Sequence, residues 1–183
     1  RQFEQKGEEI TYLGSRGISE DTVKKYEITM KDIEKHIMAF PFRDQNGEIV
    51  YFKYRNLQPK QGQSKEFCET GCKPILFGMS QCVDQERLII TEGQIDSLSV
   101  AECGLNNAVS VPTGKNGFTW IPYCWDWMEG FKKIVVFGDC ENGSITLAEE
   151  IRKRWGAKTS VVQPEDYKGC KDANELLQKY GKE

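Results

Sequence analysis

Histidine is almost absent from the sequence, in which His36 is the only one. A structural zinc site needs four ligands, usually cysteine and histidine side chains. The chain offers one close cysteine pair, Cys68 and Cys72 in "CETGC", and His36 lies far upstream of it. We therefore expect no zinc in this chain. The seven cysteines are an odd number without a repeating spacing, which favours free thiols over a disulfide framework.

Long apolar runs are missing as well. No stretch approaches the roughly 20 apolar residues that cross a membrane, and residues 1–15 are too polar for a signal peptide. We therefore expect a cytoplasmic protein with no membrane partner. An excess of positive charge is also lacking, because the net charge is −3. This balance argues against a protein that coats nucleic acid non-specifically.

Positive charge is instead concentrated in one stretch. Residues 51–65 contain four basic residues and no acid. These are Lys53, Arg55, Lys60 and Lys65. The acidic residues of interest lie after residue 90. A cationic strip together with an acidic cluster suits a polyanionic substrate that is bound through metal ions.

The first part of the chain predicts a small α+β subdomain over residues 1–84. Residues 1–36 have a helical pattern, with Ser19 as an N-cap. The segment 36–56 predicts a β-hairpin, because apolar residues alternate on both sides of Asn46-Gly47. Residues 56–74 are rich in Gln, Gly, Lys and Pro, and we expect a loop there.

The second part predicts an α/β domain over residues 85–183. Near-continuous apolar strands alternate with helices, a pattern typical of a parallel sheet covered on both faces. The predicted strands are 87–91, 107–112, 131–139 and 158–164. The predicted helices are 96–104, 144–156 and 172–181.

Acidic residues follow these strands. Ligands of parallel α/β sheets bind outside the carboxyl ends of the strands, so we expect these side chains to converge. They are Glu92, Asp96, Asp139, Glu141 and Asp172. Clustered carboxylates repel one another unless cations lie between them. Oxygen ligands with glycine-rich turns favour Mg²⁺ or Mn²⁺ over zinc or copper.

Simpler explanations exist for most of these acids. Asp172 with Glu175 matches the D-x-x-E pattern of a helix capping box. Asp96 fits the N-cap of the following helix, and Asp139 fits an ordinary turn. Glu92 is different, because an acid that ends an apolar strand has no capping role there. The order of all these acids at strand ends favours a shared site.

Several motifs resemble the Toprim domain of the DNA primases, most closely that of phage-type primase–helicases. They are "LIITEGQIDSLSV", "IVVFGDCENG" and "KDANELL", in that order. Upstream, "VYFKYRN", the lysine of "SKEF" and "PILFGM" resemble the amino-terminal part of the primase RNA-polymerase core. The resemblance extends from about residue 35 to residue 180. The family's D-x-D is D-x-E here, and the family's zinc ribbon does not precede the core.

The resemblance implies a DNA primase core that makes short RNA primers on single-stranded DNA from ribonucleoside triphosphates. Residues 1–84 would bind template and nucleotide, and residues 85–183 would form the Toprim catalytic domain. Two Mg²⁺ or Mn²⁺ ions are implied, with Asp139 and Glu141 as principal ligands. Glu92 would be a ligand or a base, and Asp96 and Asp172 would be supporting ligands.

The resemblance also implies contacts with phosphate and with a replicative helicase. Lys53, Arg55 and Lys65 would contact the triphosphate or the template backbone, although a solvated hairpin face also explains them. Lys115 lies in a loop where it would reach phosphate, but "VPTGKNG" lacks the glycine spacing of a P-loop. The helicase would be fused downstream or bound separately, in the cytoplasm of a bacterial or phage-infected cell.

Two other functions use the same residues. A Toprim nuclease would cleave phosphodiesters with these acids, and a non-catalytic nucleic-acid-binding module would be explained by the D-x-E change. The upstream motifs favour the primase. The aromatic segment "FTWIPYCWDW" predicts either a loop packed on the sheet or a platform for stacked template bases.

Overall fold

The computed structural model describes residues 7–113, 117–140 and 146–183. Within those ranges the helices are Glu8–Ser15 (α1), Glu20–Lys25 (α2), Gln94–Glu102 (α3), Ile121–Glu129 (α4), Thr146–Trp155 (α5) and Ala173–Tyr180 (α6). The strands are Thr29–Asp32 (β1), Ile37–Arg43 (β2), Ile49–Asn56 (β3), Glu66–Cys68 (β4), Arg87–Thr91 (β5), Ala108–Ser110 (β6), Lys133–Phe137 (β7) and Thr159–Val161 (β8). Across the same ranges, no helix has the length and apolar character needed to cross a membrane.

The first sheet is antiparallel, with the strand order β1-β2-β3-β4. Strands β2 and β3 form the predicted hairpin, which confirms the Asn46-Gly47 turn. Asp44 Oδ1 accepts hydrogen bonds from the backbone N–H groups of Asn46 and Glu48, at 2.8 and 3.1 Å. Gly47 adopts φ 85°, a conformation that glycine reaches without strain.

Two strands of this sheet correct the sequence predictions. Residues 29–32 were expected to be helical, but they form β1, which pairs with the edge of β2 and buries Met30. Residues 66–68 were expected to lie in a loop, but they form β4, whose three residues are exposed. Because β4 is exposed, its residues do not alternate between apolar and polar, and β4 is identified as a strand by its pairing with β3. The predicted N-cap Ser19 is confirmed, since its side chain accepts a bond from Thr22 N.

The second sheet is entirely parallel, with the strand order β6-β5-β7-β8. This arrangement confirms the α/β fold class, with helices flanking a parallel sheet. The aromatic segment was expected to be a loop, but most of it forms α4. Pro122 lies in the first turn, where proline is tolerated, and Ile121, Cys124 and Met128 form a buried stripe. Because all four strands run in one direction, their carboxyl ends lie at one edge.

The two sheets share one hydrophobic core. Phe77 pairs with Ser110 on β6 through two backbone hydrogen bonds of 2.9 and 3.1 Å. Its ring also contacts Phe40 and Phe42 of β2. The segment around Phe77 therefore joins the antiparallel sheet to the edge of the parallel one. The division into units at residues 84 and 85 stays a prediction.

Glu102 connects helices that are distant in sequence. Its Oε1 atom accepts hydrogen bonds from Ser19 N at 2.6 Å and from Thr22 Oγ1 at 2.8 Å. Its Oε2 atom lies 3.0 Å from Lys182 Nζ. Burial alone would raise the pKa of Glu102, but the hydrogen bonds lower it to about 2. The charged form is therefore the one that stabilises the fold.

Glu102→Gln is expected to lower the free energy of unfolding by about 2–3 kcal/mol at pH 7. The difference in the free energy of unfolding between the variant and the unchanged protein should be complete above pH 4.5, the ordinary pKa of a glutamate. It should disappear as pH falls towards 2. Urea denaturation across this pH range measures both effects. Glu20→Gln is the matched control, because Glu20 makes an exposed pair with Lys24 and should change stability little. Equal losses in the two variants would contradict this account of Glu102.

Candidate metal-dependent active site

Three aspartates converge at the carboxyl edge of the parallel sheet. One carboxylate oxygen from each of Asp96, Asp139 and Asp172 lies within 4.8 Å of the others. Asp96 comes from the first turn of α3, Asp139 follows β7, and Asp172 precedes α6. The structure thus brings together three of the predicted acids from three distant stretches of the chain. Their role as metal ligands stays a prediction.

Asp96 is the most buried of the three, with 7% of its surface exposed. Burial raises the pKa of this carboxyl well above its usual range, and the neighbouring Asp172 and Asp139 raise it further. Three carboxylates that repel one another form a donor set that suits a hard divalent cation. The residues present therefore fit Mg²⁺ or Mn²⁺.

Hydrogen bonds from the backbone hold two of these aspartates. Asp172 Oδ1 accepts a bond from Glu175 N at 2.9 Å and is the N-cap of α6. The N-cap part of the capping-box prediction is thus confirmed, whereas Glu175 Oε2 accepts its bond from Lys171 N, at 2.8 Å. The same Asp172 also lies in the acidic group. Asp96 Oδ1 accepts a bond from Asn174 N at 3.0 Å. Asp96 does not cap α3, because the N-cap of that helix is Gly93.

Glu92 braces the loop that carries Asp139. Its Oε2 atom accepts a hydrogen bond from Asp139 N, which ties the end of β5 to the end of β7. The same loop is held by Tyr167, whose hydroxyl donates to Gly138 O at 2.6 Å, and by Cys140 N, which donates to Lys171 O at 2.6 Å. Glu92 and Asp139 line a largely apolar cavity of about 270 Å³. The assignment of Glu92 as a ligand or base stays a prediction.

A second cavity, of about 320 Å³, lies between the antiparallel sheet and the beginnings of α3 and α6. Asp96 and Asp172 line one side of it, and Arg55 and Lys65 line another. Lys53 lies nearby, and its Nζ atom donates to Pro112 O at 3.0 Å. Because Lys53 is only 8% exposed, a solvated hairpin face does not explain it. The cavity combines acidic and cationic walls, as a nucleotide with divalent ions requires.

Two predicted residues fall outside the part of the chain that the structure describes. Glu141 and Lys115 belong to residues 141–145 and 114–116. Their predicted roles as metal ligand and phosphate contact are therefore untested.

Sequence reasoning missed several polar residues of the cavity, among them Arg16, Lys171 and Asn174. Asn174 is 3% exposed, and its Nδ2 atom donates to Arg16 O at 2.8 Å and to Ser99 Oγ at 3.0 Å. It thereby joins α6 to α3 and to the end of α1. Lys171 and Asn174 flank Asp172 within "KDANE", and this proximity was the available signal. No sequence signal pointed to Arg16, because it follows α1 at the far end of the sequence.

Gly93 is required by the position of Asp96. A Cβ atom at residue 93 would lie 2.9 Å from Asp96 Oδ2, a separation too short for a non-bonded contact. The backbone of Gly93 has φ −102° and ψ 149°, which any residue adopts. The glycine after Glu92 therefore leaves room for a neighbouring carboxylate and does not relieve backbone strain.

Gly93→Ala is expected to keep the fold and to displace the Asp96 carboxylate. The affinity for Mg²⁺ should fall by about 10- to 100-fold, the range for changes beside metal ligands. Isothermal titration with Mn²⁺ and Mg²⁺ measures this loss. Gly156→Ala is the control, because a Cβ there meets nothing within 4 Å. Equal metal affinities in the two variants would show that Gly93 does not set the position of Asp96.

Comparison with known proteins relates this chain to primases. It is 30% identical over 190 residues to a primase homolog protein of Arabidopsis thaliana, covering 93% of this chain and 55% of that protein. It is 28% identical over 171 residues to the DNA helicase/primase of Enterobacteria phage T3, covering 89% of this chain and 28% of that protein. The chain therefore spans about half the length or less of these relatives. No protein-family model matches it.

The fold agrees with this relationship. The crystal structure of the primase fragment of the bacteriophage T7 primase–helicase protein superposes with a TM-score of 0.72 at 27% sequence identity. The match covers 92% of this chain and 69% of the T7 chain. The predicted Toprim-like fold, with an α+β part before it, is confirmed.

Proposed function

Because this chain is a homologue of the primases and primase–helicases, we propose that it is the RNA-polymerase core of a DNA primase. It would synthesise short RNA primers on single-stranded DNA from ribonucleoside triphosphates. One observation carries the proposal beyond homology. The carboxylates of Asp96, Asp139 and Asp172 meet within 4.8 Å, and two of them line a cavity that Arg55 and Lys65 also line.

The acidic residues would hold two divalent ions. Bound Mg²⁺ or Mn²⁺ would supply charge neutralisation at the α-phosphate and at the leaving pyrophosphate. Asp139 would be a principal ligand together with Glu141, and Asp96 and Asp172 would complete the set. Asp96, whose pKa burial raises, would have to lose its proton when a cation binds, because ligands bind in their deprotonated form. Glu92 would position Asp139 through its backbone bond and remain close enough to serve as a ligand or base.

The cationic residues would bind the phosphates of nucleotide and template. Arg55 and Lys65 line the same cavity as Asp96 and Asp172, and Lys53 lies nearby, where its Nζ atom donates to Pro112 O. Their donors favour a triphosphate over an uncharged ligand. Lys115 is proposed as a further phosphate contact. Little covalent chemistry is required of the protein in such a reaction, because positioning and electrostatics supply most of the acceleration.

The proposed partners follow from the relatives. The phage T3 relative is named a DNA helicase/primase, and a solved T7 assembly has primase domains bound to an RNA/DNA hybrid. We therefore propose a single-stranded DNA template and a replicative helicase, fused downstream or separate.

One assay distinguishes the proposal from its rivals. The protein is incubated with single-stranded DNA, labelled ribonucleoside triphosphates and Mg²⁺ or Mn²⁺, and the length of the DNA is followed in parallel. Short RNA oligomers that depend on template support the primase. Shortened DNA without RNA would instead identify a nuclease, and DNA binding without either product would identify a non-catalytic module.

A further inference from the structure

Glu66 pairs with Lys53 and Arg55, two of the cations proposed above to bind phosphate. Its Oε1 atom accepts a hydrogen bond from Arg55 Nη1 at 2.9 Å, and its Oε2 atom lies 3.2 Å from Lys53 Nζ. The three residues face one another across neighbouring strands, since Glu66 is directly opposite Arg55 in the register of β3 and β4. One carboxylate therefore bridges both cations, as a phosphate group would.

The two cations are more enclosed than the carboxylate that pairs with them. The side chains of Lys53 and Arg55 are 10% and 19% exposed, whereas that of Glu66 is 39% exposed. Within the described ranges, Lys53 also contacts the Pro112 carbonyl, and Arg55 lies over the face of the Tyr12 ring, at 5.8 Å. Neither of these is an anion. Among the described residues, Glu66 thus supplies the negative charge that is paired with both cations.

The position of Glu66 in the fold allows its side chain to leave Lys53 and Arg55. Strand β4 is a short edge strand of three exposed residues. It is held by pairing with β3, by a bond from Ser64 Oγ to Glu66 O at 2.7 Å, and by the Phe67 ring, which packs on Tyr54. The Glu66 side chain is partly exposed and lines the cavity, so it is able to turn towards water while β4 stays paired with β3. An incoming phosphate is therefore able to replace it.

We propose that Glu66 is an internal competitor that makes the site selective for metal-loaded triphosphates. This inference rests on the proposed function, in which Lys53 and Arg55 bind phosphate. A phosphate that takes the place of Glu66 must remain within a few ångströms of its negative charge. Bound divalent ions remove about half of the charge of a triphosphate. Glu66 consequently repels a bare polyphosphate more strongly than the same polyphosphate carrying Mg²⁺.

Glu66→Gln tests this mechanism, because glutamine keeps the shape and removes the charge. We expect about tenfold tighter binding of inorganic tripolyphosphate in EDTA. Binding of ATP with saturating Mg²⁺ should tighten by no more than about threefold. The preference for the metal-loaded ligand should therefore shrink. Isothermal titration of both probes, at low ionic strength and with thermal unfolding as a folding check, gives these ratios.

Glu69→Gln is the matched control. Glu69 lies just beyond β4, and its Oε1 atom accepts a bond from Phe52 N at 2.8 Å, which glutamine also accepts. It should bind both probes as the unchanged protein does. The double variant Glu66→Gln/Arg55→Met should lose the gain in tripolyphosphate affinity.

Unchanged or weaker tripolyphosphate binding by Glu66→Gln would overturn the inference, because Glu66 would then only orient the cations. Equal tightening of both probes would overturn it as well. Failure of the proposed function gives a different pattern. In that case no variant makes RNA, while Glu66→Gln still binds tripolyphosphate more tightly than the Glu69→Gln control.

Discussion

Asp139→Asn is expected to reduce primer synthesis on the order of a thousandfold. The substitution keeps the size of the side chain and removes the charge from the acid that approaches both Asp96 and Asp172. The fold should survive, because the bond from Asp139 N to Glu92 uses the backbone and not the replaced carboxylate. Template-dependent incorporation of labelled ribonucleotides measures the loss.

Asp126→Asn provides the control for that experiment. Asp126 is exposed on α4 and lies outside the acidic group. It should retain primer synthesis within about twofold, since surface changes away from functional features usually have small effects. If Asp139→Asn made RNA as well as Asp126→Asn does, Asp139 would not be part of the catalytic machinery.

Asp96→Asn is expected to have opposite effects on stability and on metal binding. Burial, followed by the charges of Asp172 and Asp139, raises the pKa of Asp96 well above its usual range. The folded protein therefore keeps a proton that the unfolded chain releases above about pH 4. In such a case the stability of the metal-free protein falls as pH rises above that value. Asparagine cannot ionise, so the metal-free variant should unfold at a higher temperature at pH 7.

With divalent ions present, the unchanged protein should be more stable than Asp96→Asn. Saturating Mg²⁺ stabilises a protein that binds it, and Asp96→Asn should lose most of that gain. Thermal unfolding in EDTA and in Mg²⁺, repeated at pH 3 and pH 7, measures the stability of the metal-free variant and the stabilisation that Mg²⁺ adds. At pH 3 the metal-free variant and the unchanged protein should unfold alike, because Asp96 is then protonated in both states. A variant that is less stable than the unchanged protein in EDTA at pH 7 would contradict the account.

The parallel sheet was predictable because burial on both faces leaves a strong pattern. Strand β5 was predicted with its observed bounds, 87–91. Strands β1 and β4 were missed, since one was hidden among charged residues and the other is exposed along its length. Helix α4 was missed because its aromatic residues and proline have low helix propensity, whereas packing of Ile121, Cys124 and Met128 decides its conformation.

The acidic residues of the site were predictable from their positions at strand ends. The residues that support them were not. Asn174 contacts Ser99 and the carbonyl of Arg16, which lie 75 and 158 residues away in sequence. Such long-range bonds leave no local pattern. The same holds for Glu66, whose partners become neighbours only when β4 pairs with β3.

Anomalous diffraction from crystals soaked in Mn²⁺ tests the central claim most directly. The account predicts a strong peak about 2.2 Å from carboxylate oxygens of Asp96, Asp139 and Asp172, and its loss in Asp139→Asn crystals. A fully occupied Mn²⁺ site elsewhere, with none among these three side chains, would contradict it.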